Sequence, residues 1–237
     1  MKTAIVTAAS RGIGLAVAQM LAAKGYRIIG SYAHNHEAAR HAEELLGNNS
    51  VLLQANHAER TQTYRFAEEV GKLTSRVDCI ICNAGITVRH SFTETTDEEW
   101  DSMMEVGLNA HIILLRKLFP LIQPHSRIIF TGSAMGCYPH ATVLGYGVVK
   151  GAIHAAVKNL VKVFEPLQTT VNAVAPGFVD TEWQLNKPAE VRENICRKTA
   201  IHRFATVEET AAAYAFCIDN EFVNGSIINV DGGYNYQ

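Results

Sequence analysis

The stretch Thr3-Ala4-Ile5-Val6-Thr7-Ala8-Ala9-Ser10-Arg11-Gly12-Ile13-Gly14 passes from a short apolar run through small residues into two glycines, and a helical pattern begins at once with Ile13, Val17 and Leu21 on one stripe. A strand that turns through small residues into a helix lets backbone N–H groups come close to an anion, and the helix N-terminus adds favourable partial charge. This is the setting in which the pyrophosphate of a dinucleotide binds. With only Gly12 and Gly14 the loop is sparse in glycine, so its placement between strand and helix carries the reading.

The same alternation continues along the chain. Apolar β-rich runs occupy residues 3–7, 27–32, 50–55, 77–82, 127–131, 170–174 and 227–230, with helical patterns between them, such as Phe66, Val70 and Leu73. Apolar residues at consecutive strand positions mean that both faces are covered, which predicts a parallel sheet with helices on either side. There is no internal repeat and no linker. Residues 178–206 are more polar, carry Trp183 and Pro188, and break the alternation, which predicts a helical flap over a site.

A chain of 237 residues that is 48% hydrophobic fits a single α/β domain over residues 1–237. The 21 basic and 23 acidic residues are dispersed, for a net charge of -2, which leaves no basic stripe for nucleic acid and no polybasic membrane anchor. A small-molecule partner is expected. The apolar run at residues 4–9 is too short for a signal-peptide core and no later run approaches a membrane span, so the expected location is the cytoplasm. Five cysteines then read as reduced thiols. Cys79 and Cys82 lie three apart on a strand, facing opposite sides, and do not form a metal pair. His34, His36 and His41 read as a solvated turn and helix face, and no metal site is expected.

Tyr146 and Lys150 stand four residues apart, with Ser133 thirteen residues before Tyr146 after a strand-like run. On a helix this spacing brings the phenol and the ammonium to one face. Two unit charges about 4 Å apart at an effective dielectric near 20 interact by roughly 4 kcal/mol. That is enough to bring a phenol that titrates at about 10 toward neutrality. The arrangement is a proton-handling site.

In order along the chain, Thr7 to Gly14, Asn83-Ala84-Gly85, the Ser133, Tyr146 and Lys150 set, Pro176-Gly177 with Thr181, and Asp231-Gly232-Gly233 resemble the motifs of the short-chain dehydrogenase/reductase family across nearly the whole length. The resemblance implies a doubly wound, Rossmann-type sheet of seven parallel strands, a bound nicotinamide cofactor, and hydride transfer to a carbonyl carbon. By position it implies that Ser133 bonds the carbonyl oxygen, that Tyr146 gives its proton to the developing alkoxide, and that Lys150 lowers the Tyr146 pKa while bonding the nicotinamide ribose. It implies cofactor contacts from Thr7, Ser10, Arg11, Gly12, Ile13 and Gly14, from Asn83, Ala84 and Gly85, from Tyr146 and Lys150, and from Pro176, Gly177, Val179 and Thr181.

Three positions depart from the family pattern. Ala8 replaces the first loop glycine, which is expected to be tolerable with φ below zero. Cys82 stands where a second Asn is common. Seven residues after Trp100, where the family carries an Asn in its proton relay, this chain has Gly107, with Asn109 two residues on as the alternative register. Gly107→Asn is expected to fold and to keep or raise turnover.

The end of the second strand, Ser31-Tyr32-Ala33-His34-Asn35, lacks the carboxylate that binds a ribose 2'-hydroxyl in NAD-preferring proteins. With Arg11 and His34 as donors to a 2'-phosphate, NADP(H) is favoured over NAD(H), and Asn56 is expected beside the adenine. Within the family the chain is most similar to the 3-oxoacyl-acyl-carrier-protein reductase type of fatty acid metabolism, which implies an acyl-thioester substrate. Reduction or oxidation of a free ketone or alcohol, and nucleotide binding without turnover, are the alternatives. Tyr138, His140, Val143, Phe178 and Trp183 are expected near the substrate. A homotetramer is expected, because an apolar C-terminal strand at a sheet edge invites burial between subunits.

Overall fold

Ile28 and Ile29, Ile80 and Ile81, and Ile128 and Ile129 are consecutive in three strands, and in each pair the two side chains enter different hydrophobic cores. All six are essentially inaccessible to solvent. Burying each is worth roughly 1.5–3 kcal/mol, and that gain requires cover on both faces of the sheet.

The computed structural model describes residues 1–140 and 142–234. Its strands are β1 (Lys2–Val6), β2 (Tyr26–Tyr32), β3 (Val51–Gln54), β4 (Val77–Cys82), β5 (Ile122–Thr131), β6 (Thr170–Pro176) and β7 (Ile227–Val230). They form one seven-stranded sheet in the order β3-β2-β1-β4-β5-β6-β7, with every pairing parallel. The helices are α1 (Gly12–Ala23), α2 (His36–Leu46), α3 (Arg60–Leu73), α4 (Asp97–Met104), α5 (Ala110–Leu118), α6 (Leu144–Phe164), α7 (Glu182–Leu185), α8 (Ala189–Lys198) and α9 (Val207–Asp219). Val17 and Leu21 of α1, Ala42 of α2 and Tyr214 of α9 fill the core on one face. Phe66 of α3, Leu114 of α5 and Val149, Ile153 and Val157 of α6 fill the other. This is the doubly wound Rossmann-type fold.

From β1 the chain winds outward to β3, then returns to lay β4 beside β1 and winds the other way to β7. The reversal opens a crevice at the C-terminal ends of β1 and β4, the place where such sheets bind ligands. Two helix starts near it are fixed by reciprocal capping boxes, Thr96 with Glu99 on α4 and Thr206 with Glu209 on α9.

The apolar runs locate all seven strands, with one end displaced by several residues. β5 begins at Ile122, ahead of the apolar run at 127–131: Ile122 pairs with Val77 and Arg127 with Cys79, and the residues between form an irregular stretch with His125 at φ +62°, which hydropathy cannot register. Cys79 and Cys82 enter opposite cores. β7 forms the sheet edge, with Ile227, Ile228 and Val230 half-buried. Among the described residues, no helix is long and apolar enough to cross a membrane.

Candidate active site

The loop after β1 binds its own scaffold first. Ala8 N donates to Ser31 Oγ at 3.1 Å and Ala9 N to the Ser31 carbonyl at 2.8 Å, while Ser31 Oγ meets His57 Nε2 at 2.9 Å. These bonds hold Ala8 at φ +54°, the left-handed region, contrary to the negative φ expected for an alanine there. The turn demands that geometry, and the missing glycine is a local strain. A Cβ on Gly14 would overlap the Ala8 carbonyl oxygen, so the glycine lets α1 pack onto the loop. At the start of α1, Arg11 makes no side-chain cap and the first turn holds no acid. The free N–H groups of that turn suit a pyrophosphate. On this donor set the chain fits a dinucleotide.

Thr7 and Asn83 tie the ends of β1 and β4 together beneath the loop. Thr7 Oγ1 accepts from Asn83 N at 2.8 Å and from Ala84 N at 2.9 Å. Asn83 Nδ2 donates to the Thr7 carbonyl at 3.1 Å, and Asn83 Oδ1 accepts from Thr131 Oγ1 at 3.0 Å. Thr131 has one proton, already spent, so the 2.6 Å contact with Tyr214 is a bond that the phenol donates.

Above this network lies a cavity of about 330 Å³ that brings together Ser133, Tyr146 and Lys150 with Arg11, Gly12, Ile13, Gly14, Asn83, Gly85, Pro176, Gly177, Val179 and Thr181. Ser133 follows β5 in extended conformation, its Oγ accepting from Met135 N at 3.1 Å. Tyr146 lies in the first turn of α6 and Lys150 one turn later, fully buried, with Nζ donating to the Thr131 carbonyl at 2.5 Å. Burial lowers the Lys150 pKa to about 8. Burial also raises the Tyr146 phenol, against smaller downward pulls from the Ser133 hydroxyl and the Arg89 guanidinium. This corrects the expectation that Lys150 brings Tyr146 toward neutrality. The ammonium sits 5.4 Å from the centre of the Tyr146 ring and is committed to Thr131, so desolvation governs the phenol.

The other expected contacts are distributed differently. Thr7 and Ala84 are buried below the cavity, and Ser10, His34 and Asn56 do not line it. His34 is exposed. The Asn56 amide is occupied locally, donating to Glu59 Oε1 at 3.2 Å and accepting from Ala58 N at 3.2 Å. Arg11 pairs with Glu182 at 3.1 Å. Both side chains are well exposed, so the pair is worth less than about 1 kcal/mol and holds Arg11 only weakly. Of the expected substrate neighbours, His140, Val143, Phe178 and Trp183 line the cavity and Tyr138 does not.

Gly107 lies in a π-helical turn, Glu105–Asn109, between α4 and α5. A Cβ there would overlap Cγ1 of buried Val149 on α6, so the glycine is where the two helical segments touch. The expectation for Gly107→Asn therefore meets a steric cost at this contact, where Val149 has to give way. The Gly107 carbonyl accepts from His111 Nδ1 at 3.1 Å, and burial lowers the His111 pKa to about 3, so the ring is neutral with Nε2 facing Thr7 Oγ1 at 3.4 Å. Asn109 is no substitute, since its amide donates to Glu105 Oε2 at 2.9 Å, and Glu105 in turn binds Arg60. Sequence reasoning also missed Thr131 and Arg89, which line the cavity. Thr131 acts through its backbone carbonyl, which no residue pattern encodes. Arg89 is a lone charge in the loop after Gly85.

A protein-family model described as enoyl-(acyl carrier protein) reductase matches residues 7–235. The chain is 31% identical over 236 residues to the 3-oxoacyl-[acyl-carrier-protein] reductase FabG of Escherichia coli (strain K12), covering 98% of this chain and 96% of that relative. It is 32% identical to the 2-dehydro-3-deoxy-D-gluconate 5-dehydrogenase of Pseudoalteromonas atlantica, covering 98% and 95%. A short chain dehydrogenase from Burkholderia cenocepacia J2315, solved in complex with NADP, superposes with a TM-score of 0.93 at 29% identity, covering 99% of this chain and 98% of that one.

Proposed function

The chain belongs to the short-chain dehydrogenase/reductase family, and we propose that it uses NADPH to reduce a carbonyl group, with a 3-oxoacyl thioester as the first candidate substrate. It is an NAD(P)-dependent oxidoreductase acting between CH–OH and C=O groups. The observation that carries the finer reading is the convergence of Ser133, Tyr146 and Lys150 on a cavity that also reaches the open first turn of α1.

Bound NADPH supplies a hydride from its nicotinamide. Gly12, Ile13 and Gly14 hold the pyrophosphate, and Pro176, Gly177, Val179 and Thr181 flank the nicotinamide end. Ser133 orients the carbonyl oxygen. Tyr146 protonates it, and the burial that raises its pKa keeps the phenol protonated at neutral pH, the state a general acid needs. Lys150, with a pKa of about 8, is largely protonated at pH 7; one of its three N–H donors holds Thr131 and two are left for the ribose. His111 takes the place of the relay Asn side chain in holding the turn at Gly107. Arg11 leaves Glu182 for the 2'-phosphate of NADPH, a weak exposed pair exchanged for a charge-assisted one. Residues 178–206, which contribute Phe178 and Trp183 to the cavity wall, cover the substrate.

A free ketone or alcohol is the second reading, supported by the gluconate-derivative dehydrogenase at 32% identity beside 31% for the acyl-carrier-protein reductase. The reading extends to a cytoplasmic homotetramer. Free thiols at all five cysteines suit a reducing compartment, and the half-buried apolar residues of edge strand β7 suit a subunit contact. A monomeric mass by light scattering refutes the tetramer.

NADPH oxidation over a panel of acyl thioesters and ketones tests the function, with Tyr146→Phe as the control. The variant should lose about 10²- to 10⁴-fold in kcat, the range of general acid catalysis. Turnover within about tenfold of wild type refutes the assignment.

A further inference from the structure

Arg89 lines the same cavity as Ser133, Tyr146 and His140. Its field reaches groups on four separate segments. Burial raises the pKa of Tyr146 and Tyr234 and lowers that of His140 and Lys187, and in all four the Arg89 guanidinium adds a downward pull. These groups belong to α6, the chain after β7, the segment before α6 and the turn between α7 and α8. Charge effects of this kind fade within about 10 Å in salt, which agrees with the place of Arg89 in the cavity wall alongside Tyr146 and His140.

Among the described residues no carboxylate pairs with it. Among the described residues, Arg89 makes no hydrogen bond or ion pair, and the Lys187 ammonium makes none either. Of the acids on the neighbouring segment, Asp180 pairs with Arg192 at 3.0 Å and Glu182 with Arg11 at 3.1 Å, neither with Arg89. Lys198 adds to the positive field at His140, and Arg192 to that at Lys187. A cation in a concave wall with no counter-ion of its own, as Arg89 is, concentrates anions there.

We infer that the substrate carries an anionic group, a carboxylate or a phosphate, set apart from the carbonyl it presents to Tyr146, and that Arg89 binds that group and sets specificity. The inference rests on the reductase reading for the carbonyl but not for the anion. Arg89 is a specificity residue with two effects: it attracts the anion, and its field on the Tyr146 phenol acts on every substrate alike. A ratio of substrates separates the two.

The test compares kcat/KM for matched pairs: 4- and 5-oxo acids against their methyl esters, and a 3-oxoacyl phosphopantetheine thioester against its dephosphorylated form. The wild-type chain should prefer one anionic member by about 10- to 100-fold, the range of a charge-assisted contact. Arg89→Met should remove most of that ratio, and Arg89→Lys should keep part of it. The carboxylate and phosphate arms tell the two sources apart. Equal use of both members of every pair, or a ratio that survives Arg89→Met, overturns the inference. If no carbonyl compound is reduced, the reductase reading fails by itself, and the anion site is decided by calorimetric titration of the NADP-saturated chain with glutarate and with phosphopantetheine. Binding of either that is lost in Arg89→Met supports the site, and no binding, or binding that persists in the variant, overturns it.

Discussion

Replacing Ala8 by glycine should stabilise the protein. Ala8 is held at φ +54° by two bonds from the loop to Ser31, and a residue with a Cβ in that region costs roughly 1–2 kcal/mol. Glycine removes the cost but gains freedom in the unfolded chain, returning about 0.4–1 kcal/mol. The difference spans about 0–1.6 kcal/mol with a centre at about 0.8 kcal/mol, which for a chain of this length is a rise in Tm of about 2–3 °C. Ala9 supplies the opposite control. It is fully buried, has no positive φ and packs its methyl into the core under α1, so Ala9→Gly loses about 1–2 kcal/mol through backbone freedom and lost burial. Urea denaturation without cofactor, at one fixed protomer concentration, reads both, since oligomerisation and ligand otherwise shift the midpoint. A midpoint for Ala8→Gly at or below wild type refutes the claim that this loop stores strain, and a rise in both variants shows that the loop tolerates glycine generally.

Three further outcomes are expected. NADPH should exceed NADH in kcat/KM, because the end of β2 offers no carboxylate and Arg11 can leave its exposed partner; Arg11→Met should narrow the ratio, and a wild-type preference for NADH refutes the argument. Gly107→Asn should destabilise by roughly 1–3 kcal/mol through overpacking, and Val149→Ala in the same chain should recover part of it; a Gly107→Asn variant as stable as wild type means that α6 yields at this contact. His57 and His111 are buried, and burial holds their pKa values at about 4 and about 3. The unfolded imidazoles titrate at about 6.5, so both contribute stability that is complete above that pH and is lost as pH falls toward the folded values. Two such groups give a slope of up to about 3 kcal/mol per pH unit below 6.5, and stability that is flat in urea from pH 6.5 to 5 refutes it.

The strands were legible because their sequence violates alternation. A run such as Val77 to Cys82 is buried at every position, and consecutive apolar residues can be satisfied only by a sheet with cover on both faces. The front of β5 was illegible for the complementary reason: Ile122 pairs with Val77 through its backbone, and Gln123 to His125 form a partly exposed irregularity before pairing resumes at Arg127. Hydropathy reports where side chains go, and Gln123 to His125 bury none fully.

The candidate site divides along the same line. Ser133, Tyr146 and Lys150 could be found because their chemistry lies in side chains at fixed spacing. What the spacing could not reveal is where Lys150 sends its proton donors. It bonds a backbone carbonyl, that of Thr131, which every residue possesses and no letter of the sequence marks. Gly107 is the sharper case. Read as a residue lost from a relay, it suggested that restoring Asn would help. The structure gives the glycine a second duty, the contact with Val149, and gives its carbonyl to His111, four residues on, whose neutral ring depends on complete burial. The roles of residues 107, 111 and 149 are legible only together, because what joins them is the packing of the π-helical turn against α6 and the bond from His111 back to the Gly107 carbonyl.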